Sequence, residues 1–101
     1  MVNYPDQGDL ISVENVKFKM IVVSNRIFNA KGGVMACPVI RETEEAALHI
    51  PVESNIVNGY IQCESVKFFD LTKRSFRVIG RISLYKLMDI SDALQGIFEY
   101  I

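Results

Sequence analysis

The chain has 101 residues, half of them hydrophobic, with 11 basic against 12 acidic side chains and a formal net charge of −1. That length supports one domain over residues 1–101 with a modest core, no apolar run reaches the roughly 18 residues of a membrane span, and a near-neutral total excludes wholesale coating of nucleic acid. The opening Met1-Val2-Asn3-Tyr4-Pro5-Asp6 lacks a basic region followed by an apolar block, so no secretory signal is expected and the compartment is read as cytoplasmic.

Gln7-Gly8-Asp9 is a turn signal, and Leu10 to Val13 reads as the first strand. Glu14-Asn15 is the only polar break before Val16 to Val23, which predicts a tight hairpin and a long second strand. In that strand Phe18, Met20 and Val22 share the parity expected in the core. Lys17, Lys19, Ile21 and Val23 share the other, with both lysines directed to solvent at one end. Ser24 to Asn29 is a connection, and Lys31-Gly32-Gly33 lacks phosphate-loop spacing and reads as a hairpin turn. Val34 to Val39 is nearly all apolar and therefore central in the sheet. Pro38, without an N–H, marks a strand end or a bulge there.

Arg41 to Ala47 is the most polar stretch and reads as a mobile loop, followed by Leu48 to Val52 as a short edge strand that suits Pro51. No acid or cysteine stands in fixed register with His49, which is expected at the surface or half-buried without a partner. Glu53-Ser54-Asn55 and Val57-Asn58-Gly59 flank a turn, with Asn58-Gly59 the strongest turn dipeptide in the chain. From Gly59 a strand brings Gln62 and Glu64 to one side and Ile61 and Cys63 to the other. Lys67 and Asp70 then bracket Phe68 and Phe69, both expected in the core. Cys37 and Cys63 read as buried free thiols, and with only His49 beside them no zinc site is expected.

Leu71 to Arg74 is a further turn. From Ser75 a strand places Phe76, Val78, Gly80 and Ile82 on one face and Arg77, Ile79 and Arg81 on the other, the two arginines about 13 Å apart if the strand is regular. Between Lys67 and Lys86 six cations face one acid, Asp70, which predicts a local positive field on a near-neutral protein. The last element is a helix with Ser83 as N-cap and a broad apolar stripe of Leu84, Leu87, Met88, Ile90, Leu94, Ile97, Phe98 and Ile101. Gly96 within it marks either a fraying end or close packing. The expected fold is mainly β: a strongly curved, mostly antiparallel sheet closed by a terminal helix, compatible with a dimer through the stripe.

Taken in order, these pieces resemble the MazF/PemK family of toxins from bacterial toxin–antitoxin systems. The resemblance rests on Gly8-Asp9-Leu10-Ile11, Ile21-Val22-Val23-Ser24, Asn29-Ala30-Lys31-Gly32-Gly33-Val34 and Ala36-Cys37-Pro38-Val39. It continues through Gly59-Tyr60-Ile61 and Val66-Lys67-Phe68-Phe69-Asp70 into a strand and an amphipathic helix, and so spans nearly the whole chain. It implies an SH3-like curved antiparallel barrel that forms a homodimer and needs no metal or cofactor. It further implies cleavage of single-stranded RNA and blockage by a cognate antitoxin protein. A sister branch of the same fold, CcdB-like, poisons DNA gyrase through its C-terminal helix end, and the tail Gly96-Ile97-Phe98-Glu99-Tyr100-Ile101 resembles that branch without its tryptophan.

The chain departs from the ribonuclease pattern at the residues that matter for chemistry. The family's long first loop, which ends in Arg-Pro, shrinks here to Glu14-Asn15, and the Arg-Pro pair aligns with Phe18-Lys19. The family threonine aligns with Ile40. Glu64 stands where many members have aspartate, and Gln62 where one branch has arginine. Metal-free RNA cleavage needs a base for the 2′-hydroxyl proton, an acid for the 5′-oxygen and positive charge on the phosphorane. Glu64 is the candidate base, Lys19 or Lys17 the source of charge from the first hairpin, and Arg41 a further catalytic candidate beside Ile40. Lys17, Lys67, Arg77 and Arg81 are the candidate nucleic-acid contacts. Losing a transition-state donor costs about 3 kcal/mol, so the expected enzyme is weak, rebuilt or inactive. The gyrase-binding toxin and a catalytically degenerate relative stay open as alternatives.

Overall fold

Apolar residues run without alternation through the middle of this chain because its central strands are buried on both faces. The computed structural model describes residues 4–41, 43–44 and 46–100. Its elements are β1 (Asp9–Val13), β2 (Met20–Val22), α1 (Arg26–Asn29), β3 (Gly33–Ile40), β4 (His49–Glu53), β5 (Asn58–Gln62), a 3-10 turn (Cys63–Ser65), β6 (Lys67–Asp70), β7 (Phe76–Arg81) and α2 (Leu84–Ile97). All strand pairs are antiparallel, in the order β4-β5-β3-β2-β1-β7, with β6 also on β3. The mainly-β fold with a terminal helix is as expected, but the curved sheet is not closed into a barrel among the described residues.

One face of the sheet carries Leu10, Ile21, Cys37, Val39, Ile61 and Cys63, sealed by Ile90 of α2. The other carries Ile11, Val13, Met20, Val22, Val34 and Ala36, with Phe69 and Phe76 packed against them. Ile21, which shares the parity of Lys17 and Lys19, is also fully buried in the core. The second strand is also far shorter than the hydrophobic run implied. Residues 14–19 form a loop, turned at Asn15 (φ 63°), and Phe18 is exposed rather than buried.

Central β3 explains Pro38. Its outer residues pair with β6 (Gly33 to Ala36) and with β5 (Val39 and Ile40), and Pro38 falls in the gap where the partner changes. The missing N–H is thus lost where no ladder bond was available. Preceding β3, Asn25 caps α1, its side chain accepting from Phe28 N–H at 3.1 Å. The stretch read as a plain connection is therefore a helical turn.

Strand β7 corrects the arginine geometry. Its register against β1 is Leu10↔Gly80 and then Ile11↔Val78, so Ile79 is an extra residue in a bulge. Arg81 lies opposite Asp9 and Arg77 opposite Ser12, positions three apart on β1 and so on opposite faces of the sheet. They do not project together.

Helix α2 begins as expected at Ser83, whose side chain accepts from Lys86 N–H at 3.2 Å. Only part of its apolar stripe reaches the sheet. Ile90, Ala93 and Leu94 pack inward, whereas Leu84, Met88 and Phe98 are exposed. A Cβ on Gly96 would meet nothing within 4 Å, so close packing is not the reason for that glycine.

Candidate nucleic-acid groove and its carboxylate–histidine pair

A groove of about 1140 Å³ runs across the sheet, floored by Met20, Ala36, Pro38 and Ile40. The loop after β1 forms one wall with Val16, Lys17 and Phe18, while Gln62, Glu64 and β6 form the other. Lys73 and Arg74 reach it from the turn after β6. Cations and rings alternate around it: the Lys17 ammonium lies 5.4 Å from the Phe18 centroid, and the Arg74 guanidinium 6.0 Å from that of Phe69.

Both acids of the groove are already engaged. Asp70 accepts from the Thr72 hydroxyl (2.6 Å) and N–H (3.0 Å), which holds its carboxyl below the usual range. Glu64 sits on the 3-10 turn rather than on a continuing strand, and its Oε2 lies 2.7 Å from His49 Nε2. The Glu64 side chain is 42% exposed and that of His49 18%.

The hairpin register makes this pair. His49 lies opposite Gln62 and Glu53 opposite Asn58, which centres the turn on Ser54–Val57. The turn is closed by Ser54, whose hydroxyl accepts from the N–H groups of Ile56 and Val57 at 3.1 Å. Asn58-Gly59 is therefore the start of β5, not the turn itself. Glu64, two residues past Gln62, is carried beside the imidazole. His49 accordingly has the acidic partner that its sequence neighbourhood did not reveal.

Both nitrogens of His49 face acceptors. Nδ1 is 3.0 Å from the Glu44 carbonyl and 3.2 Å from the Thr43 hydroxyl, while Nε2 faces the Glu64 carboxylate. With Nδ1–H donating to the carbonyl, one proton must be shared between Nε2 and Glu64. The carboxylate and then the carbonyl raise His49 above the ordinary histidine value, and the imidazole lowers Glu64 below the ordinary carboxylate value. Both shifts favour an imidazolium–carboxylate pair over two neutral partners.

Of the residues singled out in the sequence, Glu64, Lys17 and Lys67 line the groove. Lys19, Arg41, Arg77 and Arg81 do not. Lys19 contributes its carbonyl to Val39 N–H (2.9 Å), Arg41 is exposed beyond β3, Arg77 is exposed on β7, and Arg81 pairs with Asp9 at 2.7 Å. Within the loop from Arg41 to Ala47, Glu42 and Glu45 lie outside the described residues, as does Ile101 in the tail invoked for gyrase. Sequence reasoning missed His49, and it had Lys73 and Arg74 only as members of the basic run.

Cys37 and Cys63 are free and buried, the Cys37 Sγ 4.0 Å from the Cys63 carbonyl. Its thiol is pushed up by the hydrogen bond with Cys63 and then by burial. No three His, Cys, Asp or Glu side chains come together as a metal cluster among the described residues. No helix among them is long and apolar enough to cross a membrane.

The fold of this chain, an antiparallel sheet backed by one C-terminal helix, is similar to that of several solved structures. The MazE–MazF complex from Deinococcus radiodurans superposes with a TM-score of 0.86 at 18% identity, covering 95% of this chain and 97% of that one. An endoribonuclease from Mycobacterial species gives 0.82 at 15% identity over 97% and 94%. An endoribonuclease from Mycobacterial species in complex with its cognate antitoxin gives 0.80 at 14% identity over 93% and 94%. At such identities the likeness shows the fold. No curated protein matches the chain by sequence. The family model for PemK-like, MazF-like toxins of type II toxin–antitoxin systems matches residues 5–98, and the chain belongs to that family.

Proposed function

We propose that this toxin is a metal-independent endoribonuclease acting on single-stranded RNA, and that the Glu64–His49 pair at the groove replaces the family's arginine and threonine. The observation that carries the reading is the 2.7 Å contact between a solvent-accessible carboxylate and an imidazole, beside a groove lined by Lys17, Lys67 and Arg74. RNA supplies its own nucleophile. Glu64 accepts the 2′-hydroxyl proton, the 2′-oxygen attacks phosphorus, and the 5′-oxygen leaves with a proton that the His49 imidazolium supplies through the shared pair. The products are a 2′,3′-cyclic phosphate and a 5′-hydroxyl. The lysines place positive charge at the phosphorane, and Arg74 offers the paired donors that Lys17 cannot.

The groove also suits an inhibitor that competes with RNA, and an antitoxin protein is the expected partner, by analogy with the MazE–MazF complex. A homodimer is expected through the exposed apolar side chains of Leu84, Tyr85 and Met88 on α2. Incubation with a long unstructured RNA in excess chelator tests the enzyme reading. Discrete fragments ending in 2′,3′-cyclic phosphate are expected. Intact RNA at protein concentrations above that of the RNA would remove it.

A further inference from the structure

Gln62 lines the groove, yet proton transfer between Glu64 and His49 does not use it. Three strand registers place it in one row of side chains across the groove face. Met20 stands opposite Pro38, and Gln62 stands opposite His49. Between them, the register Ile40↔Tyr60 and Val39↔Ile61 runs on to set Pro38 against Gln62. Facing residues of neighbouring antiparallel strands point to the same side, with Cβ atoms about 5 Å apart. The amide therefore stands between an apolar floor and the imidazole, one strand from each.

Its orientation is set by a neighbour. The Gln62 Nε2 donates to the Ser65 hydroxyl at 2.7 Å, and Ser65 ends the 3-10 turn that carries Glu64. Both side chains are half-buried, and both line the groove. That bond engages one amide N–H and leaves the second N–H and the carbonyl oxygen. Among the described residues the oxygen takes no protein hydrogen bond, and no buried side-chain polar atom lacks a partner, so it meets solvent.

We propose that Gln62, held by Ser65, reads the edge of one unpaired RNA base beside the scissile phosphate and so sets the sequence preference of cleavage. The proposal rests on the RNA reading given above. An amide oxygen and N–H side by side form a bidentate pair with a base edge that presents a donor next to an acceptor. Pro38 and Ile40 offer the same base an apolar surface, and Lys17 and Lys67 line the groove within reach of its phosphates. The place of Gln62 opposite His49 ties the base that is read to the nucleotide at which the proton moves.

The test maps the ends produced when the native protein and its variants cut a long unstructured RNA containing all four bases. Native ends are expected to share one base at one fixed position from the cut. Gln62→Leu keeps the bulk and removes both hydrogen-bonding groups, so that preference should fall by about tenfold or more. Ser65→Ala leaves the amide free to rotate and should weaken the preference at the same position. Gln62→Glu exchanges the amide donor for a second acceptor and should move the preference toward guanine, whose Watson–Crick edge carries adjacent donors. Circular dichroism checks that each variant is folded. A lower overall rate with the preference unchanged is what a purely structural role gives; it overturns the proposal and leaves RNA cleavage standing. Native ends with no common base do the same. Where a variant cuts too slowly to map, binding is measured to four uncleavable 2′-O-methyl decamers that differ only at the preferred position. Equal affinities for Gln62→Leu support the proposal, and the native ranking retained in that variant overturns it. RNA left intact by the native protein removes the proposal together with the enzyme reading.

Discussion

His49 Nε2 lies 2.7 Å from Glu64 Oε2, joining the start of edge strand β4 to the 3-10 turn that follows β5. The contact is made possible by a hairpin whose register sets His49 opposite Gln62. It converts two isolated ionisable side chains into a unit that shares a proton.

His49 is the chain's single histidine, so its titration can be followed without assignment ambiguity. Its pKa is expected above the ordinary 6.5, because the Glu64 carboxylate and the Glu44 carbonyl both favour the protonated ring. Glu64→Gln should bring it down. The sign for stability follows. The histidine's contribution is fully present below pH 6.5 and is lost as pH rises through its raised folded value. The contribution of Glu64 is present above pH 4.5 and is lost as pH falls through its lowered folded value. The native protein should therefore exceed His49→Gln in stability most between these two values. NMR titration and melting curves across pH check both statements, and an unshifted imidazole would remove the pair.

Two glycines should respond in opposite directions. Gly96 has open space around its Cα, so Gly96→Ala is expected to stabilise α2 by about 1 kcal/mol. Gly59 has φ +154° and a Cβ there would lie 2.6 Å from the Ile40 carbonyl oxygen. Gly59→Ala should destabilise by about 1–3 kcal/mol, since backbone rather than a flexible side chain must yield. Urea denaturation of the two variants measures both.

Asn29 is a polar side chain with no exposed surface. Its amide donates to the Pro5 carbonyl (2.8 Å) and the Ser24 carbonyl (3.1 Å), and its oxygen accepts from the Ser24 hydroxyl. That hydroxyl in turn accepts from Met35 N–H at 2.9 Å, tying α1 and the N-terminal arm to β3. Asn29→Leu leaves these partners buried and unpaired, and an equilibrium unfolding loss of about 3 kcal/mol is expected.

Much of this fold is legible in the residues because it depends on local chemistry. Ser83 caps a helix, Gly8 and Gly32 turn the chain at positive φ, and Pro51 sits on an edge strand. What escapes is set by pairing at a distance. Phe18 and Phe68 have the residue type of a core, but the sheet offers each no covering layer. Arg77 and Arg81 obey period two until a bulge at Ile79 breaks it. His49 meets Glu64 only because a serine closes the turn ahead of the stronger Asn58-Gly59 signal. Glu64, Lys17 and Lys67 were visible as candidates from residue type and order, whereas the contribution of Lys73 and Arg74 to the same groove required the turn after β6.

The central claim is that Glu64 carries proton transfer in RNA cleavage, and single-turnover cleavage of one defined RNA by the native protein and by folded Glu64→Gln tests it most directly. A glutamine keeps the shape and a hydrogen bond to His49 but accepts no proton at useful pH, so the rate should fall by about a hundredfold or more. Equal rates for the two proteins would contradict the account.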